Sequence, residues 1–400
     1  MKDRSPSGST SAYDRVQVGV IGLGLIAQVA HLPNLVRLNR IFAVTHVCDL
    51  SAAVLEAVAP GVAGPPRRST VALDVIHDPD VEAVLLLTPG AHGPLAEAAL
   101  RAGKHVFSEK PLCISQAEAV RLSELAARQE VTLEVGYMKA YDPALPATRR
   151  ALEGIGDVVL VSVEVRHPTH ESQIARLDYH TARDADVVTL QQAETRETEE
   201  SKRAIGAVPP GIDRLYRRVL LGSVIHELAL LRALGFTPPT SWQHATAEPF
   251  DPADKTADPP SIAATAQLAG GALLRLQWLW LPRYPRYEES VTIVGTAGAV
   301  HLQMPQPYGP NVPARLAVRS ADGVELTHDG SGRHDSGFLE ELRVFHQAVR
   351  EGSAVPTDAD AARSDTASLQ ALVATIATAH GVSVGGEAYR ASTEPTSRPA

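Results

Sequence analysis

The stretch Arg15–Leu38, RVQVGVIGLGLIAQVAHLPNLVRL, decides the fold. An apolar strand, Val16 to Ile21, runs into Gly22-Leu23-Gly24-Leu25-Ile26-Ala27 and then into a helix. Each small residue in that turn has its own task. Gly22 permits the tight turn, Gly24 lets backbone approach a pyrophosphate, and Ala27 allows helix and strand to pack closely. Leu25 and Ile26 open the helix, whose free N–H groups face phosphate. A second strand, IFAVTHVCD, ends at Asp49, 27 residues after Gly22. An acid there accepts both adenosine ribose hydroxyls and repels a 2′-phosphate, so the pattern favours NAD over NADP.

Strands and helices then alternate. VEAVLLLTP reads as a buried strand, HGPLAEAALRAG as a helix stopped by Gly103, and KHVFSE as a strand. SQAEAVRLSELAARQ is an amphipathic helix and VTLEVGY a further strand. Such alternation predicts a parallel, doubly wound sheet, here over residues 15–140. Glu109-Lys110-Pro111 falls just past a strand's carboxyl end, the edge where open parallel sheets bind ligands. Pro111 keeps Lys110 out of helical angles. An ammonium fixed there hydrogen-bonds a substrate oxygen and stabilises developing negative charge.

LLGSVIHELALLRALGF, Leu220–Phe236, holds one histidine in a helix-like apolar run. His226 reads as core, ligand or catalyst. A zinc-protease reading fails for want of the second histidine of His-Glu-x-x-His. An imidazole with ordinary pKa near 6.5 exchanges a proton at neutral pH, as alcohol oxidation requires.

Together these motifs resemble the Gfo/Idh/MocA oxidoreductase family. The likeness is carried by VGVIGLGLIAQVAHLP followed by VCDL, by LLLTPGAHGPLAEAALRAGKHVFSEKPL, by VGYMKAYDPAL and by GSVIHELALLRALG. Weaker matches follow in ESVTIVGTAGAVHL and GFLEELRVFHQAVREG. The resemblance implies an α/β protein: an N-terminal Rossmann domain, then an α/β domain with an open, largely antiparallel sheet at residues 141–388. It implies NAD or NADP in the cleft and a sugar, sugar derivative or cyclitol as substrate. Lys110 then matches the family's catalytic lysine and His226 its acid/base histidine. The cofactor set becomes Gly22, Gly24, Leu25, Ile26, Asp49, Thr88, Pro89, His92, Glu109 and Lys110. Tyr137, Lys139, Tyr216 and Ser223 are the substrate candidates. The chain departs from the pattern where aspartates usually flank the histidine, carrying Gly222 and Ala229, and where Ala140 replaces a common arginine.

A polar insertion, about 167–211, follows the strand-like DVVLVSVEVRH. Its His167, His170, Asp178 and His180 fit no tight ligand spacing, so no metal is expected. AETRETEESKRA reads as an exposed charged helix. Arg214, Arg217 and Arg218 read as a basic surface helix, or as contacts for a substrate carboxylate or phosphate. ALLRLQWLWLPRYPRYEESVTIVG alternates like paired strands. An apolar exposed face there predicts a homo-oligomer formed through this sheet, with core packing as the competing reading.

Composition narrows the class. The chain has 400 residues, a formal net charge of −9 and 21% charged residues. Without a basic block, nucleic acid is not an expected partner. No long apolar run predicts a membrane span. Two cysteines without a disulfide framework and a polar N-terminus predict a cytoplasmic location. Residues 1–14 and 389–400 are expected to be disordered tails. Three function classes stay open: a dehydrogenase or reductase, a cofactor-binding sensor without turnover, and a lyase or glycosidase that uses NAD transiently.

Overall fold

The computed structural model describes residues 15–308, 312, 314–323, 325–328 and 335–393. Six parallel strands form the first sheet: β1 Val16–Ile21, β2 Phe42–Cys48, β3 Arg67–Ser69, β4 Ala83–Leu86, β5 His105–Glu109 and β6 Leu133–Gly136. Their order is β3-β2-β1-β4-β5-β6, so the chain reverses direction across the sheet between β1 and β4. A crevice opens at such a reversal, beyond the strands' carboxyl ends. β4 is buried along its whole length, as a strand covered by helices on both faces must be. Local signals start the helices. Ser51 accepts from Val54 N at 3.0 Å ahead of helix Ala52–Val58, and Ser115 from Glu118 N at 3.2 Å ahead of Gln116–Gln129.

Eight strands form the second sheet: β7 Val158–His167, β8 His244–Glu248, β9 Ser261–Gln267, β10 Leu273–Trp280, β11 Glu288–Gly295, β12 Gly298–Met304, β13 Arg315–Ser320 and β14 Glu325–His328. All neighbours are antiparallel except β7 and β10. One face is apolar and buried, with Val161, Val163, Val165, Leu274, Leu276 and Trp278 pointing into the core. The other carries Ser162, Glu164, Arg166, Arg275, Ser290 and Thr292 around a shallow depression. The expected apolar outer face is therefore a polar one. Period-two alternation shows which residues share a face, but neighbouring helices decide which face is covered.

Helix Gly337–Glu351 crosses back to the first sheet. Its Leu339, Leu342 and Phe345 share a core with Val16, Val18 and Val20, and Phe345 meets Phe107 edge-on at 5.7 Å. Burying each such side chain contributes about 1.5–3 kcal/mol. The C-terminal tail assignment needs correction: helix Gly386–Thr393 extends through residues 389–393. Residues 1–14 and 394–400 lie outside the described residues. No helix among the described residues is long and apolar enough to cross a membrane.

Candidate active site

The glycine turn behaves as its residue types require. Gly22 has φ +96°, and a Cβ there would lie 2.7 Å from Thr88 N. A side chain would therefore be strained and would clash with the neighbouring strand. A Cβ on Gly24 would meet nothing within 4 Å, so that flank of the turn is open to a ligand. The next residues, Ala27–His31, form a wide π-helical turn that swings His31 inward. Its Nε2 lies 2.8 Å from Glu109 Oε1. Burial works to raise the Glu109 pKa, but the His31 contact and nearby positive charge hold it below the usual carboxylate value.

Gly24, Leu25, Ile26, Thr88, Pro89, Glu109, Lys110 and His226 all line one cavity of about 450 Å³. The Lys110–Pro111 bond is cis. The Lys110 ammonium donates to Gly222 O at 2.5 Å. That carbonyl belongs to a second π-helical stretch, Leu215–Val224, which leads directly into helix Ile225–Ala233 and His226. Wide turns of this kind recur at functional sites, because they displace backbone groups from the regular ladder. Burial, and next the charge of Lys139, lower the Lys110 pKa, with Glu109 acting the other way. Burial, Lys110 and Lys139 together push His226 well below its ordinary 6.5. Its Nδ1 has no hydrogen-bond partner among the described residues. A neutral imidazole and an ammonium thus face the same space.

Several sequence candidates are placed elsewhere. His92 is buried, with Nε2 2.8 Å from Thr88 O and Nδ1 2.9 Å from Pro111 O. It ties the Thr88-Pro89 turn to the Glu-Lys-Pro segment and does not reach the cavity. Asp49 accepts from Leu23 N and Ser51 N, both at 2.8 Å, so its carboxylate braces the glycine turn. Tyr137 is fully buried beneath the Arg232 guanidinium. Tyr216 is also fully buried and donates to Ile114 O at 2.6 Å. Ser223 accepts from Trp278 Nε1 at 2.9 Å, facing the second sheet. Lys139 is paired with Glu227 at 2.8 Å and Glu289 at 2.5 Å. It lies behind the cavity, where it acts on Lys110 and His226 through its charge. By α-helical spacing Tyr216 and Ser223 share the stripe of His226, but the face that becomes core is set by what packs against it. Tyr137, just past β6, and Lys139, in the turn Met138–Tyr141, are held off the cavity by Arg232 and by the Glu227–Glu289 pair.

The insertion supplies cavity residues that its composition did not single out. Glu197, from helix Val187–Ile205, lines the cavity and accepts from Ala91 N at 2.9 Å. Its other oxygen meets Arg217 at 3.2 Å. Arg217 and Arg218 also line the cavity, but Arg217 is bound to Glu194, Glu197 and Asp213, and Arg218 to Glu194. His170 and Tyr308 complete that wall. No periodicity marked Glu197, because a run of glutamates looks alike from every side of a solvated helix. Among the described residues, the histidine and carboxylate atoms that gather within 4.8 Å belong to His31, Glu109 and Glu341. Sequence distance hid this trio.

A parallel sheet with a glycine turn opening its crevice, and a lysine past a strand end, define a dinucleotide-dependent oxidoreductase. Residues 16–137 match the model of an oxidoreductase family with an NAD-binding Rossmann fold. Inositol 2-dehydrogenase 3 of Saccharopolyspora erythraea is 27% identical over 343 residues, 85% of this chain and 86% of that protein. Inositol 2-dehydrogenase of Salmonella typhimurium is 30% identical over 150 residues, covering 36% of this chain and 44% of its own length. A putative myo-inositol dehydrogenase structure from Sinorhizobium meliloti superposes with TM-score 0.63 at 22% identity, covering 91% of this chain and 98% of that one. Residues 16–137 thus carry the NAD-binding domain of the Gfo/Idh/MocA oxidoreductase family.

Proposed function

We propose that the protein transfers hydride between a nicotinamide and a CH–OH or C=O carbon of a sugar, sugar derivative or cyclitol, with NAD preferred over NADP. The observation that carries this is the meeting of Lys110 and His226 in one cavity with the open flank of the glycine turn. The bound dinucleotide supplies the hydride acceptor or donor. Gly24, Leu25 and Ile26 hold its pyrophosphate, and Thr88 and Pro89 form the adjoining wall. Lys110 directs its ammonium at the reacting oxygen and stabilises the charge that grows there. His226, neutral at physiological pH, takes the hydroxyl proton during oxidation. The same burial and lysine charges that keep it neutral disfavour the imidazolium, so it passes the proton on to solvent in the cavity. Relatives named as inositol 2-dehydrogenases support the substrate class.

We also place the boundary between dinucleotide and substrate domains near residue 140, with the second domain reaching about residue 388. Copies of the chain are proposed to associate through the polar outer face of the second sheet, which sedimentation checks. The decisive test of function is to incubate purified protein and NAD with a panel of polyols and cyclitols and follow the NADH absorbance band. Accumulating NADH supports a dehydrogenase. Tight NAD binding without turnover of any polyol or oxidised sugar overturns it in favour of a sensor.

A further inference from the structure

Residues 180–184 leave the insertion and lie along the rim of the first sheet. Gln28, on the helix after the glycine turn, holds one end. Its amide donates to His180 O at 2.9 Å, and its carbonyl accepts from His180 N at 2.7 Å. The same amide donates to Leu23 O at 2.7 Å. Asp184 holds the other end, accepting from Ser51 Oγ and, at 3.0 Å, from Ala53 N. Ser51 is therefore bound by two carboxylates, its N–H by Asp49 and its hydroxyl by Asp184. The two acids are 135 positions apart in sequence (184 − 49) and are brought to the same residue. That residue lies just past the carboxyl end of β2, where this fold receives the adenosine ribose.

We infer that Asp184 is a second selector of NAD over NADP, supplied by the insertion rather than by the dinucleotide domain. The inference rests on the proposed dinucleotide reading. A ribose 2′-phosphate brings about two negative charges and needs donors or cations to receive them. The donors at this turn, Ser51 Oγ and Ala53 N, are already taken by Asp184. Its carboxyl is held below the usual range by those two hydrogen bonds, so it is charged at neutral pH. Arg67, on the neighbouring strand β3, is bound to Asp78 and Asp80. Asp49 and Asp184 thus present two negative charges to the 2′ position, and Gln28 fixes the segment that carries the second.

The test titrates NAD and NADP separately into wild type, Asp184→Asn, Asp184→Lys and Gln28→Ala, following binding by calorimetry. Asp184→Asn removes the charge and keeps one of the two acceptor oxygens that serve Ser51 and Ala53. It should tighten NADP binding by roughly five- to tenfold, the scale of one exposed like-charge contact, with NAD affinity nearly unchanged. Asp184→Lys should shift the ratio further in the same direction. Gln28→Ala loosens the segment without changing charge, so a purely structural role would show as equal weakening for both dinucleotides in all three variants. An Asp184→Asn protein that binds NAD normally and keeps the wild-type NAD/NADP ratio overturns the inference alone. Wild type that binds neither dinucleotide overturns the cofactor reading on which it rests.

Discussion

The β1–β5 half of the cavity and the 167–233 half follow different rules. In the first, local chemistry fixes the glycine turn and the strand-end lysine. Gly22 must be glycine because a Cβ would strike the next strand, and Lys110 lies past β5 because the strand ends there. In the second, partners far away in sequence decide. Tyr216 and Ser223 share a stripe with His226, yet Ile114 O and Trp278 draw them off the cavity. Glu197 and Asp184, from a segment that reads as solvated, bind the Ala91 backbone and Ser51. Spacing is thus a reliable guide where backbone conformation makes the site, and a poor one where packing does.

The largest effect that would sharpen this contrast is on turnover. Lys110→Ala and His226→Asn should each cut kcat by roughly a hundredfold or more, the usual scale for a lost general acid/base or a lost charge stabiliser. NAD affinity should stay nearly constant in both, as equilibrium titration would show. Loss of melting temperature with unchanged turnover per folded molecule would make His226 a packing residue.

Next in size is Asp49→Ala. It removes the acceptor that braces Leu23 N and Ser51 N, and NAD should bind on the order of tenfold more weakly, the factor that about 1.4 kcal/mol sets. Unchanged NAD affinity by the same titration would break the claim that local spacing fixes this half.

A smaller shift concerns pH. Oxidation needs the neutral imidazole, whose fraction grows as pH rises through its pKa. Because burial, Lys110 and Lys139 lower that pKa, the rising limb of kcat/KM should lie below pH 6.5. Gly222→Asp adds a carboxylate one turn before His226, at a position whose Cβ meets nothing closer than Arg217 O at 3.9 Å. The limb should then move up by about one pH unit, the scale of a nearby opposite charge. An immobile limb in a folded variant would show that His226 is not the titrating group.

The smallest expected change is in stability. Glu341 is fully buried, and burial, then Glu109 and Glu134, push its pKa well above 4.5. The folded state therefore prefers the protonated acid, and the stability this gives is lost as pH rises above the unfolded value. Glu341→Gln, neutral at every pH, should flatten the alkaline decline of melting temperature while barely changing it near pH 4. A decline as steep as wild type would remove Glu341 from that account.

The sequence by itself determined the doubly wound sheet, the glycine turn, Asp49 at the end of β2 and the placing of Glu109-Lys110 at the ligand edge. These depend on φ angles, strand periodicity and chain reversal, which short stretches encode. It also marked His226, though resemblance rather than periodicity assigned its role. Only the tertiary structure decided that Lys139 is an ion-paired charge behind the cavity, that His92 is a tie between two turns, and that the second sheet turns a polar face outward. It likewise brought His31 to Glu109, Glu197 to Ala91 and Asp184 to Ser51. Those outcomes depend on which elements remove water from which faces, and a side chain's partner 78, 106 or 133 positions away leaves no trace in local spacing.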